Sequence, residues 1–271
     1  MALEEVSRRG LVLLGCGRMG TALLKGWLER GLAPGAVTVL DPAPADWLAE
    51  AGVRVNAALP ADPAIAMIAV KPQMMGDALP ALQALGNGRT LFVSIAAGTP
   101  IAQFEESFGS ETPIVRSMPN TPAAIGKGVT AMIGNDAARA QDLDLAEELL
   151  AAVGSVVRLE REDQIDAVTG VSGSGPAYVF YMIECLAAAG EAQGLAPDLA
   201  LELAKATVEG AGALAAGAAE RPATLRDNVT SPNGTTQAGL AVLMDEGAGL
   251  APLIARTVEA ATARSKELAN G

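Results

Sequence analysis

Short apolar runs alternate with amphipathic stretches along the first part of this 271-residue chain. The run Ile65–Val70 is apolar at every position, which is typical of a strand covered on both faces of a sheet. Helical patterns lie between the runs, as at Gly20–Arg30 and Ala140–Ala152. This alternation predicts βαβ units around a parallel sheet, and therefore an α/β fold. The predicted strands are Leu11–Leu14, Val37–Leu40, Val53–Val55, Ile65–Val70, Leu91–Ser94, Ile114–Ser117, Val129–Ile133 and Val156–Leu159.

Apolar residues of the last third recur at helical spacing, as they do from Val179 to Leu186. A helix is predicted to start at Pro197, a favoured first-turn residue, and further helices to cover Thr235–Met244 and Leu250–Leu268. Bulky side chains are few there, so this part buries little area alone and is predicted to pair with another subunit. The predicted domains are a sheet domain, residues 1–161, and an all-helical domain, residues 162–271.

Composition narrows the possible functions. Half of the residues are apolar and 18% are charged, which argues against intrinsic disorder. The formal net charge is −12 and no basic tract stands out, so nucleic acid and anionic membranes are poor partners. The chain has no histidine, which excludes a histidine base, nucleophile or metal ligand and with them most hydrolase triads.

The two cysteines, Cys16 and Cys185, form no CxxC pair, so neither a disulfide framework nor a structural zinc site is expected. The apolar run Leu11–Leu14 is too short for the core of a signal peptide. No stretch reaches the roughly 18 apolar residues of a membrane span. We therefore expect a cytoplasmic protein without a metal site.

A glycine-rich segment, Gly15-Cys16-Gly17-Arg18-Met19-Gly20, follows the first predicted strand and opens a helix. This is the context that the dinucleotide-binding fingerprint requires. Gly15 is predicted to make the tight turn, Gly17 to let a pyrophosphate approach the backbone, and Gly20 to let the helix pack closely on the strand. The helix start then offers free N–H groups to the phosphates. Cys16 is interpreted as a small filler of the turn rather than a reactive thiol.

Asp41 ends the second predicted strand, where a carboxylate accepts hydrogen bonds from the adenosine ribose. It repels the 2′-phosphate of NADP, and no Arg or Lys between Val37 and Val53 offsets that repulsion. The sequence therefore favours NADH over NADPH. The alternative is that Asp41 only forms a turn with Pro42.

Further conspicuous segments lie at strand ends and in the helical part. Strand ends of a parallel sheet line one edge, where ligands bind. Together these segments resemble the pyrroline-5-carboxylate reductase family from Leu11 to Leu268, and Ser231–Leu240 is the most specific motif. The segments that carry the resemblance are Val70–Gln73, Ser94–Gly98, Arg116–Ala123, Ser172–Ala177 and Asp227–Leu240.

The resemblance implies an NAD(P)H-dependent imine reductase that converts 1-pyrroline-5-carboxylate to L-proline, the last step of proline biosynthesis. It implies an N-terminal Rossmann domain, a C-terminal helical dimerisation domain, and a homodimer or an assembly of dimers. The active site is then expected between the cofactor domain of one subunit and the Ser-Pro-Asn-Gly-Thr-Thr loop of its partner. The family usually has glycine where this chain has Asn233, and asparagine tolerates left-handed backbone angles better than most residues.

By resemblance, the loop binds the substrate carboxylate through the hydroxyl and backbone N–H groups of Ser231, Gly234, Thr235 and Thr236. Thr236 is the predicted catalytic residue, because its hydroxyl is expected to hydrogen-bond the ring nitrogen. The alternative is plain helix capping, for which serine, threonine, asparagine and glycine are the usual residues.

The resemblance also assigns coenzyme contacts. Asn56 is expected near the adenosine or, alternatively, as a turn residue, and Lys71 is expected to shape a strand end rather than to act in catalysis. Arg116 is interpreted as a structural ion-pair partner, with an anion contact as the alternative, and Ser172–Pro176 as a helix kink. The predicted cofactor-binding residues are Gly15, Gly17, Arg18, Met19, Gly20, Asp41, Asn56, Ala69, Val70, Lys71, Pro72, Ala96, Ala97, Met118, Pro119 and Asn120.

Two other functions are also compatible with parts of the sequence. A β-hydroxyacid dehydrogenase shares the glycine-rich start and the helical C-terminal part, but it needs a lysine followed four residues later by asparagine. Lys205 is followed at that spacing by Glu209. A non-catalytic module that senses NAD(H) is the second alternative, and the complete Ser231–Thr236 loop argues against it.

Overall fold

A computed structural model describes residues 2–269 and contains one eight-stranded sheet in the order β3-β2-β1-β4-β5-β6-β7-β8. Every predicted strand is present, with bounds shifted by a few residues at most. The strands are β1 Leu11–Leu14, β2 Val37–Leu40, β3 Arg54–Val55, β4 Ile65–Ile68, β5 Leu91–Ser94, β6 Ile114–Met118, β7 Gly128–Gly134 and β8 Gly154–Arg158.

Helices connect the strands and form the rest of the chain. Those in the sheet part are α1 Ala2–Arg9, α2 Arg18–Glu29, α3 Trp47–Glu50, α4 Met75–Ala78, α5 Ile101–Phe108, α6 Ala140–Leu150 and α7 Gln164–Val168. They are followed by α8 Gly175–Ala192, α9 Pro197–Gly217, α10 Pro222–Asn228, α11 Thr235–Leu243 and α12 Leu250–Ala269.

The sheet is mainly parallel, as expected, but its last two strands, β7 and β8, run opposite to the other six. β7 runs antiparallel to β6, with Met118 opposite Ala131, whereas the other neighbouring strands pair in parallel. The connection from β6 to β7 spans only residues 119–127, fewer than the dozen or so that a parallel crossover requires. This connection contains a short 3₁₀ turn, Thr121–Ile125, and is too short for a crossover helix.

The sheet is covered on both faces, as its unbroken apolar strands predict. β1 places Leu11 and Leu13 in the core on one face and Val12 and Leu14 in the core on the other. Each of these four side chains is at most 5% exposed. β1 lies between β2 and β4, third in the order of eight strands, and therefore fixes the glycine-rich segment that follows it at an interior position of the sheet edge.

Two helix contacts complete this core. Trp27 of α2 is fully buried, and its Nε1 donates a hydrogen bond to the carbonyl oxygen of Leu149 in α6 at 2.9 Å. The N-terminal helix α1, which the apolar pattern did not predict, docks through Val6, a side chain with no exposed surface.

Contacts divide the described residues into two compact units, residues 2–173 with 261–269, and residues 174–260. This division differs from the predicted boundary after residue 161, because α7 and the end of α12 pack with the sheet. Ser265 of α12 donates a hydrogen bond to the Asp166 carboxylate at 2.7 Å, and Leu268 lies against Gly98.

The second unit has a small core and a large apolar surface. Its buried apolar residues are three alanines of α8 and α9, Ala187, Ala200 and Ala204. Large apolar side chains lie on its outside, among them Phe180 at 58% and Val242 at 74% exposure. A surface of this kind is typical of a subunit interface, as the sequence predicts for this part of the chain.

Candidate active site

The glycine-rich segment forms a tight loop between β1 and α2. Gly15 has φ +85°, and a Cβ built there would lie 2.8 Å from Cγ1 of Val70 and 3.0 Å from the carbonyl oxygen of Ala69. A Cβ on Gly20 would lie 2.7 Å from the carbonyl oxygen of Gly15. Around Gly17, by contrast, no atom lies within 4 Å of a built Cβ. The loop is therefore closed at its two ends and open at its centre, which fits a pyrophosphate there.

Free backbone donors line this open side. In the part of the chain that the structure describes, no hydrogen-bond partner is found for the N–H groups of Gly17, Arg18, Met19 and Gly20. The next amide, of Thr21, donates to the carbonyl oxygen of Gly17 at 2.8 Å and begins the helical ladder. Four free N–H groups at the positive end of a helix form an anion site suited to phosphates.

Asp41 is tied to this loop by its side chain. Its Oδ2 accepts the N–H of Cys16 at 2.7 Å, and its Oδ1 accepts the N–H of Ala43 at 2.8 Å. The turn beside Pro42 that the sequence suggests is therefore real, but only one carboxylate oxygen makes it. The other oxygen connects the end of β2 to the glycine loop, which places the negative charge of Asp41 beside the phosphate donors.

Asn56 is predicted to contact adenosine, and in this structure its amide group is bonded to Asp41. Asn56 has φ +49°, which asparagine tolerates better than most residues. Its Oδ1 accepts the N–H of Asp41 at 3.0 Å, and its Nδ2 donates to the carbonyl oxygen of Asp41 at 2.9 Å. Asn56 therefore holds the backbone of Asp41 in place.

The Cys16 thiol lies at the edge of the loop. Burial raises its pKa, the contact with Thr21 lowers it in part, and the negative charge of Asp41 raises it. The sulfur lies 3.6 Å from Oγ1 of Thr21. A thiol held in its neutral form is a poor nucleophile, which supports the interpretation of Cys16 as a filler.

The ends of β4 and β5 carry the next predicted contacts. Ala69 packs beside the glycine loop, and its N–H donates to Leu14 at 2.8 Å. Lys71 is exposed, has extended backbone angles and precedes a 3₁₀ turn that begins at Pro72. Ala96 is buried, and its N–H donates to Oγ of Ser94 at 3.2 Å. All of these lie at the carboxyl-end edge, as predicted, together with Val70 and Ala97.

The end of β6 is fixed by an asparagine. Asn120 is 9% exposed, and its Oδ1 accepts the N–H of Val129 at 2.9 Å. Its Nδ2 donates to the carbonyl oxygen of Ser172 at 3.3 Å. Met118 lies against Gly173, and Pro119 is buried. Asn120 thus connects the end of β6 to Val129 and Ser172. The sequence predicted only a coenzyme contact for this residue.

Arg116 is 4% exposed and lies on β6. Its Nη1 bonds Oε1 of Glu162 at 2.7 Å, and the same oxygen accepts the N–H of Ile101, the first residue of α5, at 2.8 Å. This supports the structural interpretation of Arg116. Glu162 was not predicted from sequence, because nothing in its local pattern distinguishes it from the neighbouring acidic residues.

In the second unit, the loop before α11 forms its own hydrogen bonds. Asn233 has φ +59°, and its N–H donates to Oε1 of Gln237 at 2.5 Å. The N–H of Gly234 donates to the carbonyl oxygen of Ser231 at 3.0 Å. Gly234 was predicted to give its N–H to substrate; in this structure that group is already used, so Gly234 shapes the turn instead.

Three other amides of this loop are free. Within residues 2–269, no hydrogen-bond partner is found for the N–H groups of Thr235, Thr236 and Gln237, nor for the Thr236 hydroxyl. These three are the first residues of α11, so the helix dipole adds to their attraction for an anion. Gln237 was missed from sequence, although a Gln three residues after a cap is a known helix-start signal.

Both parts of the chain match known protein families. Residues 162–268 match the family described as pyrroline-5-carboxylate reductase dimerisation, and residues 10–98 match that of NADP oxidoreductase, coenzyme F420-dependent. The pyrroline-5-carboxylate reductase of Pseudomonas aeruginosa is 38% identical over 96% of this chain and 96% of its own length. This chain belongs to the pyrroline-5-carboxylate reductase family.

Other pyrroline-5-carboxylate reductases agree with this membership. That of Synechocystis sp. is 42% identical over 95% of this chain and 97% of its own. The reductase structure from Coxiella burnetii has a TM-score of 0.89 at 31% identity and covers 96% of this chain and 98% of its own. The structure of the Plasmodium falciparum pyrroline carboxylate reductase with NADP bound has a TM-score of 0.83 at 28% identity. It covers 97% of this chain and 99% of its own.

Membership confirms the resemblance seen in the sequence, including the Rossmann-type sheet followed by a helical dimerisation domain. It also removes the β-hydroxyacid dehydrogenase alternative, in line with Glu209 at the position where that class needs asparagine. No helix among residues 2–269 has the length and apolar character needed to cross a bilayer.

Proposed function

We propose that this pyrroline-5-carboxylate reductase uses its two sets of free helix-start amides for the two anions of its reaction. The four at α2 bind the coenzyme pyrophosphate, and the three at α11 bind the carboxylate of 1-pyrroline-5-carboxylate. The observation that carries the proposal is that both sets are unpartnered and that the second lies in the motif most specific to the family. The product is L-proline.

A bound nicotinamide coenzyme supplies a hydride to the imine carbon. The residues of this chain orient the two reactants and hold charge. Asp41 faces the ribose end of the coenzyme and favours NADH, because a second anion beside its carboxylate is repelled. Ala96, Ala97 and Met118 border the nicotinamide end of the same sheet edge.

Thr236 is the catalytic residue of this proposal. Its hydroxyl hydrogen-bonds the ring nitrogen, while its N–H and those of Thr235 and Gln237 hold the carboxylate. If the imine binds in its protonated form, no strong acid is needed, which agrees with a chain that has no histidine. Ser231 closes the turn through its carbonyl oxygen and offers its hydroxyl to the substrate.

The exposed apolar surface of the second unit supports a homodimer, in line with the dimerisation that its family description names. The active site then takes its substrate loop from the partner subunit. Larger assemblies of dimers, a cytoplasmic location and the domain boundary at residue 161 stay predictions.

A spectrophotometric assay tests the function. The purified chain should oxidise NADH in the presence of 1-pyrroline-5-carboxylate and form proline in equal amount, with NADPH used less efficiently. No oxidation of either coenzyme, combined with tight NADH binding, would contradict the proposal and favour a non-catalytic sensing module.

A further inference from the structure

One hydrogen bond before α11 uses the side chain of Gln237, a group to which no function has been assigned. The side-chain oxygen of Gln237 accepts the N–H of Asn233 at 2.5 Å. Gln237 is the third residue of the helix and Asn233 lies two residues before it begins, so the bond spans the turn that leads into the helix. Asn233 occupies the left-handed region, with φ +59°, at a position where the family usually has glycine.

The bond determines which amides are left for a ligand. With the N–H of Asn233 given to Gln237 and that of Gly234 given to Ser231, the turn satisfies its own donors. The amides that follow, from Thr235 to Gln237, stay free and point along one helix end. A turn that opened would let its own N–H groups compete for the anion and would move the free ones relative to one another.

We propose that Gln237 is a positioning residue. Its side chain keeps the Asn233 turn closed and so holds three backbone amides in a fixed arrangement that binds the substrate carboxylate. Asparagine in place of glycine restricts the backbone of position 233, and the Gln237 side chain holds the restricted conformation. This inference rests on the proposed function of the loop. It assigns to Gln237 a part in substrate affinity, separate from the hydrogen bond of Thr236 to the ring nitrogen.

Gln237→Met tests the proposal, because methionine keeps the length and flexibility of the side chain but offers no comparable acceptor. The KM for 1-pyrroline-5-carboxylate should rise about five- to tenfold, the loss expected for one hydrogen bond. The kcat and the KM for NADH should stay within about twofold, because neither the ring nitrogen nor the coenzyme site is touched. Gln141→Met, the same change at an exposed site of α6, should alter none of these values.

Two ligands separate carboxylate positioning from general damage. Cyclopentanecarboxylate has the acid group but no imine, and its inhibition constant should rise by the same factor as the KM. The reduction of 1-pyrroline, which lacks the carboxylate, should proceed with unchanged kcat/KM. Loss of activity on both imines alike would overturn the proposal, because it would indicate a collapsed loop.

A double-mutant cycle with Asn233→Gly gives a second measurement. Glycine frees the backbone, so removing the Gln237 acceptor should raise the KM by a larger factor in the Asn233→Gly background than in the wild type. Equal factors in the two backgrounds, or an unchanged KM in an active Gln237→Met enzyme, would refute the inference. An inactive wild-type enzyme would instead refute the proposed function.

Discussion

The side-chain amide of Asn56 bonds both polar main-chain atoms of Asp41, accepting its N–H at 3.0 Å and donating to its carbonyl oxygen at 2.9 Å. Asp41 in turn accepts the N–H of Cys16 in the glycine loop at 2.7 Å. The end of β3 is thereby connected through one aspartate to the loop that is proposed to bind the pyrophosphate. Asn56 thereby supports the position of Asp41 beside this loop, which is how we expect it to influence coenzyme binding.

Replacement of Asn56 by glycine tests this connection, since glycine tolerates the φ of +49° and removes only the side chain. The KM for NADH should rise about three- to tenfold, the effect of two exposed hydrogen bonds, while the KM for 1-pyrroline-5-carboxylate stays unchanged. Steady-state kinetics with each substrate varied in turn measures both.

Asn87→Gly is the matched control, because Asn87 also has a positive φ, of +53°, but lies far along the sequence from the glycine loop. It should leave the NADH constants unchanged. Equal effects of the two variants would show that loss of any left-handed asparagine disturbs the enzyme, and the connection through Asp41 would then be wrong.

Asp41→Ala should reduce the preference for NADH. Removing the carboxylate takes away a charged acceptor for the ribose and the repulsion of a 2′-phosphate, so the ratio of kcat/KM for NADH to that for NADPH should fall at least about tenfold. Kinetics with both coenzymes gives this ratio. If the wild-type enzyme already strongly prefers NADPH, the assignment of Asp41 is incorrect.

Thr236→Ala should lower kcat/KM for 1-pyrroline-5-carboxylate about 100-fold, because the hydroxyl next to the ring nitrogen is lost. NADH binding, followed by fluorescence titration, should be unaffected. Thr236→Ser keeps a hydroxyl and should recover most of the activity. Unchanged turnover in the alanine variant would remove Thr236 from the mechanism.

Mixed dimers test whether the partner subunit supplies the loop. Gly17→Val fills the open space in the glycine loop and Thr236→Ala disables the substrate loop, so each homodimer should be inactive. Co-expressed in equal amounts, the two should regain about a quarter of wild-type activity, because half of the dimers are mixed and each has one intact site. No recovery would indicate that both loops act within one subunit.

The Cys16 thiol should react slowly with alkylating agents. Burial raises its pKa, so at a given pH less thiolate is present than in a free cysteine. In a Cys185→Ser background, the iodoacetamide rate measured by mass spectrometry should stay below that of free cysteine between about pH 7 and 9. A faster reaction than free cysteine would mean that Cys16 is an activated thiol.

Strand positions could be predicted from the sequence because the central strands are short apolar runs buried on both faces, as in Ile65–Ile68. The directions of β7 and β8 were mispredicted, since an apolar run has the same pattern in either direction. The connection after Met118 is too short for a parallel crossover, and its length could have indicated the reversal. The helix α1 was missed because it packs on the core through few apolar residues, the buried Val6 and the partly buried Leu3.

The sequence indicated where the candidate site lies but left most of its internal contacts undetermined. Glycine spacing and strand ends placed the coenzyme residues on one edge of the sheet. Which N–H groups are free depends on bonds between residues such as Asp41 and Asn56, or Gln237 and Asn233, that no local pattern specifies. Asn120 and Glu162 likewise act through contacts with residues far away in sequence.

A crystal structure of the enzyme with NAD⁺ and L-proline tests the central claim most directly, because it locates the product carboxylate. We predict carboxylate oxygens within about 3.2 Å of the N–H groups of Thr235, Thr236 and Gln237, with the ring nitrogen near the Thr236 hydroxyl. Proline bound away from residues 231–237 would contradict the account.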